Sequence, residues 1–134
     1  MTTKYIWKRI DPDFRGTMEP HIKRWAWLLP PWLGALRILP LDDSEGDDGH
    51  TLADMDISQY RYREMILRLS SRLLLESEDD QSRAVLHEYV HVVLSPLTTI
   101  TEKLSLDSPV PELLAEAEEQ IVEDVVRRIW ENFD

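Results

Sequence analysis

The chain contains no cysteine, which excludes a disulfide framework, a thiolate metal cluster and a cysteine nucleophile. Any metal must then be held by His, Asp or Glu. No apolar run approaches the roughly 18 residues of a membrane span. The opening residues, MTTKYIWKRIDPDF, lack an apolar stretch followed by a small-residue cleavage site. The expectation is a soluble, cytoplasmic protein that does not enter a membrane. Positive charge is also scarce, with 15 Lys/Arg against 26 Asp/Glu and a formal charge of −11. Such a field repels a phosphate backbone, so general binding to nucleic acid is not expected. The deficit is uneven: residues 1–37 carry seven Lys/Arg against three Asp/Glu, and the rest carries eight against 23. A basic arm on an acidic body suits a docking partner, but it reads as a solvated surface first. Repeats and low-complexity tracts are absent.

The 134 residues, 43% of them hydrophobic, suit a single domain spanning 1–134 with its own core. The stretch MEPHIKRWAWLLPPW predicts a helix opening at Pro20 and ending at Pro30 and Pro31. LRILPLD and TLADMDIS read as extended, separated by the Gly/Asp-rich loop DDSEGDDGH. That loop does not follow the Asp-x-Asp-x-Asp-Gly order of a calcium site. REMILRLSSRLL alternates, with Met65, Leu67, Leu69 and Leu73 on one face and Arg68, Ser70 and Arg72 on the other, which predicts a half-buried antiparallel strand. A helix then starts at Ser77, with Asp80 three residues on, and stops at Pro96. A last helix runs from a Ser108 cap to Phe133, with Arg127 and Arg128 near its negative end. Strands preceding two closing helices predict an α+β domain.

The chemistry concentrates in LHEYVHVVLS. His87 and His91 are four apart, rotated by about 40° and separated by a rise of about 6 Å on a helix, so both rings project from one face and can reach one ion. Neutral imidazoles suit zinc. Glu88 follows His87 directly and is placed to take a proton from water at the ion without being a ligand. A catalytic zinc needs a third protein ligand and an open position. On the last helix Leu114, Ile121, Val122, Val125 and Ile129 form an apolar stripe with Glu118 in its middle, whereas Glu119 points to one side. A lone carboxylate on a buried stripe is costly unless paired or bound to metal, which makes Glu118 the expected third ligand.

VLHEYVH, preceded by MILRLSSRLL and followed by EEQIVEDVV, resembles the gluzincin-type zinc metallopeptidases. The similarity is greatest to the very small single-domain forms, often phage or prophage encoded, that are related to the ImmA/IrrE-type peptidases. The resemblance implies a minimal zincin fold: a short antiparallel sheet, an active-site helix with His87, Glu88 and His91, and a glutamate helix with Glu118. It also implies an extended peptide or protein substrate bound along an edge strand within Arg63 to Leu73, and hydrolysis with Glu88 as general base. Two features depart from the pattern. The position four after Glu118, where larger relatives place an acid that supports a histidine, is Val122. The oxyanion donor is unassigned, with Tyr60, Tyr62 and His50 as candidates.

Two further readings compete with the peptidase: a zinc-stabilised interaction module with weak or no catalysis, and a metal-free helical adaptor. Trp25, Trp27 and Trp32 read as core and rim packing rather than a peptide shelf. His21 reads as solvated. Arg61, Arg63, Arg68 and Arg72 read as charge balance rather than a basic substrate strip.

Overall fold

In the computed structural model, which describes residues 3–41, 51–104 and 110–133, the chain is an α+β fold of three helices and a four-stranded mixed sheet. The strands are β1 (Lys4–Trp7), β2 (Ala35–Pro40), β3 (Ala53–Asp56) and β4 (Glu64–Leu69), and the helices are α1 (Pro12–Arg24), α2 (Glu78–Leu104) and α3 (Val110–Phe133). The expected Ser108 cap and the acidic loop with His50 lie outside the described residues.

The sheet order is β1-β2-β4-β3. It is not the antiparallel sheet that the alternation predicts. β1 runs parallel to β2, and β2 runs parallel to β4, with Ala35 opposite Glu64 and Pro40 opposite Leu69. Only β3 is antiparallel, with Ala53 opposite Leu69 and Asp56 opposite Ile66. The edge beside β4 is therefore β3, and the strand within 63–73 expected at the edge lies in the interior. Alternation reports which face is buried and carries no information on strand direction.

The face holding Leu36, Ile38, Met65, Leu67 and Leu69 is buried against Phe14, Met18 and Ile22 of α1 and Val85, Leu86, Tyr89 and Val92 of α2. The opposite face carries ion pairs, Arg68 to both carboxylate oxygens of Asp54 at 2.7 and 2.8 Å and Arg37 to Glu64 at 3.3 Å. Of the four arginines in the expected strip, Arg68 balances a charge, that of Asp54 on β3 rather than of the acidic helices, and Arg61 lies over the Tyr62 ring.

Helix boundaries have local causes. α1 begins at Pro12, eight residues before the expected Pro20, because the Asp11 carboxylate accepts from the backbone N–H of Asp13 and Phe14, and Pro12 occupies a first-turn position that needs no donor. The Ser77 cap forms as expected, its hydroxyl accepting from Asp80 N at 3.1 Å. Pro96 does not stop α2. The missing N–H of Pro96 leaves the Val92 carbonyl without its helical donor, and the Ser95 hydroxyl supplies one at 2.6 Å. The helix therefore continues to Leu104.

Trp25 is buried, its Nε1 donating to the backbone and hydroxyl oxygens of Ser82, while Trp27 lies at the surface against Phe133 and Trp32 meets Tyr60 edge-on. His21 is half-buried rather than solvated, with Nε2 3.1 Å from Gln81 Oε1.

Candidate metal centre

α2 packs between the sheet and α3, with its middle turns reaching β3 on one side and α3 on the other. His87 and His91 come from these turns and face α3, their ring centres 5.1 Å apart. Val122 and Val126 anchor α3 in the core, and that anchoring fixes which carboxylates the helix presents to the rings. Ile121, expected on the buried stripe, is 48% exposed, and the side chain of Leu114 is outside the described residues. The buried line of α3 is thus rotated from the one its hydrophobic residues average to.

The rotation decides the contacts. Glu119, expected to point aside, lies between the two rings: its Oε1 is 3.0 Å from His91 Nε2 and its Oε2 is 3.4 Å from His87 Nε2. Glu118 meets the other side of His91, with Oε1 3.3 Å from Nδ1, and the same oxygen accepts from the Thr98 hydroxyl at 2.8 Å. Glu123, one turn beyond Glu119, places Oε1 2.8 Å from Nδ1 of His87. Among the described residues the group whose donor atoms converge is His87, His91 and Glu119, all within 4.8 Å of one another. Glu118 is near this group without standing between the Nε2 atoms.

His87, His91 and Glu119 could hold a metal ion. A proton on each Nδ1 can be donated to Glu123 or Glu118, which leaves each Nε2 lone pair directed toward the Glu119 carboxylate. In that tautomer a cation could sit between the lone pairs and the carboxylate, whereas in the other tautomer Nε2–H donates to Glu119 directly. In a tetrahedral zinc shell neighbouring donors stand roughly 3.4 Å apart, so the observed spread closes with shifts on the order of 1 Å.

Comparisons with protein-family models, with curated proteins and with solved structures find no match.

Glu88 is on the flank of the same helix, 7% exposed, and it lines a cavity of about 430 Å³ that also reaches His87, Glu123 and the start of β3. Burial holds its carboxyl pKa well above the usual carboxylate range, with further contributions from the charges of Asp54 and Glu119. Tyr60 and Tyr62 stand apart from this cavity, the first packed on Trp32 and the second 60% exposed under Arg61. Sequence reasoning missed Glu119 and Glu123. The signal available was the spacing itself: Glu119 and Glu123 are one helical turn apart, as are His87 and His91, so the two pairs can match along facing helices.

Proposed function

We propose that the chain is a zinc-dependent metallopeptidase, with His87, His91 and Glu119 as ligands and Glu88 as the general base. The observation carrying this reading is the Glu119 carboxylate set between two Nε2 atoms while other carboxylates hold both Nδ1 atoms. Moving the third ligand by one residue also brings the chain closer to the gluzincin pattern. The residue four after Glu119 is Glu123, and it supports His87 at 2.8 Å, whereas counting from Glu118 arrives at Val122.

When bound, zinc supplies an acidified water and an electrophile for the scissile carbonyl. The chain's residues do the rest. Glu123 and Glu118 fix ring orientation and tautomer so that both Nε2 atoms are available. Glu88 accepts a proton at its carboxylate and returns it to the leaving amine, and burial, by raising its pKa, makes the ionised carboxylate a stronger base. β3, at the sheet edge beside α2, offers backbone N–H and C=O groups to an extended peptide.

A second reading is a zinc-stabilised interaction module of phage or prophage type with little catalysis. It is favoured by the position of Tyr60 and Tyr62, neither of which is placed to donate to an oxyanion at this cavity. Cleavage of a peptide library by zinc-loaded protein separates the two. The peptidase reading expects Glu88→Gln to retain zinc and fold but lose cleavage, and His91→Ala to lose both zinc and cleavage. A stoichiometric zinc protein that cuts no peptide establishes the module instead.

A further inference from the structure

The cavity beside His87 has a lining that the hydrolytic chemistry does not use. Leu52, Ala84 and Val126 provide apolar wall, and Glu76 and Asp80 add two carboxylates from the segment leading into α2 and its first turn. The cation in the lining, Arg83, has its guanidinium 5.3 Å from the Trp130 ring centre, a cation–π contact that holds the side chain against the indole. Glu88 lines the same space, more than nine-tenths buried, and makes no hydrogen bond among the described residues. Among the described residues no fully buried side-chain oxygen lacks a partner, so this carboxyl is reached from the cavity and can meet a ligand that brings positive charge or N–H groups.

Building on the peptidase reading, we propose that this cavity receives a Lys or Arg side chain of the substrate next to the bond that is cut, with Glu76 and Asp80 determining the preference. Such side chains combine a methylene stem with a charged head. The stem lies along Leu52, Ala84 and Val126, and the head meets the two carboxylates. The cavity is lined by His87 and Glu88 but not by His91 or Glu119, so on the peptidase reading the residue whose side chain enters it has its backbone on the His87 side of the proposed metal.

Two measurements on the full chain test this assignment. With zinc-loaded protein, peptides that differ only in Lys against norleucine at each position in turn should reveal one position where Lys raises kcat/KM at least about tenfold. In the Glu76→Gln/Asp80→Asn double variant that ratio should fall to within about twofold, chiefly through KM. The second measurement needs no turnover: Nα-acetyl-lysine methylamide, titrated into the zinc-loaded protein, should shift the NMR signals of Ala53, Ala84 and Val126, while the norleucine compound at equal concentration should not. If nothing is cut but the lysine compound shifts these signals and the double variant abolishes the shift, the pocket stands and the peptidase reading alone fails. Equal cleavage of Lys and norleucine peptides at every position, or equal shifts by the two compounds, overturns the pocket.

Discussion

Replacing Glu119 by alanine should cost far more zinc affinity than replacing Glu118, although Glu118 is the better buried of the two. Glu119 has an oxygen 3.0 Å from one Nε2 and another 3.4 Å from the second, so in the proposed site its loss removes a ligand and leaves two histidines. Structural zinc sites bind with about 10–16 kcal/mol over four ligands, or about 3 kcal/mol per ligand, which predicts a loss of roughly a hundredfold or more. Glu118 acts through Nδ1 of His91 at 3.3 Å, a long contact whose loss should cost about tenfold, the lower end for a residue supporting a metal ligand. Glu123, at 2.8 Å from His87 Nδ1, should fall between them, approaching a hundredfold. Competition against a chromophoric chelator at pH 7 measures all three, with circular dichroism to show that each variant is folded. A larger loss in Glu118→Ala than in Glu119→Ala refutes the reasoning and returns the third ligand to Glu118.

Three further outcomes are expected. Because burial raises the folded-state pKa of Glu88 above 4.5, the neutral carboxyl stabilises the zinc-free fold below that pH, and this contribution is lost as pH rises through the folded pKa. The melting temperature of zinc-free Glu88→Gln should therefore gain on the parent chain from about pH 4.5 upward, and a constant difference would contradict the shift. Ser95→Ala, which removes the donor to the Val92 carbonyl, should lower stability by about 1–3 kcal/mol in urea denaturation. In a Pro96→Ala background the cost should drop to less than half, since a backbone N–H is restored there; an unchanged cost would mean that the hydroxyl has another role. A double-mutant cycle on Arg68 and Asp54, a bidentate pair with each side chain about one-third exposed, should give a coupling of about 0.5–1 kcal/mol that weakens in high salt. Coupling indistinguishable from zero would leave the polar sheet face without this contribution.

The parts of the fold legible in the sequence are those whose signals are local. Alternation in MILRL identifies the buried face of β4, and Ser77 with Asp80 locates the start of α2. Four-residue spacing alone places His87 and His91 on one face. β1 was not legible: KYIW has no alternation, and its pairing partner lies some thirty residues away at Ala35–Ile38. The Pro96 stop failed because a serine one residue earlier replaces the missing donor, a compensation that composition does not reveal. The choice between Glu118 and Glu119 depends on the rotation of α3, where a one-residue difference turns the expected face by about 100°. Averaging its apolar residues includes Ile121, which is exposed, and so moves the apparent centre of the stripe toward Glu118. Only the anchoring of Val122 and Val126 against α2 selects the orientation, and that is a property of the packed pair of helices.

The central claim is that His87, His91 and Glu119 share one divalent ion. Diffraction from crystals grown with equimolar zinc, collected on both sides of the zinc absorption edge, tests it most directly. The prediction is a single anomalous peak about 2.0–2.2 Å from both Nε2 atoms and a Glu119 oxygen, with a further coordination position open to solvent. No peak, or a peak away from these three donors, contradicts it.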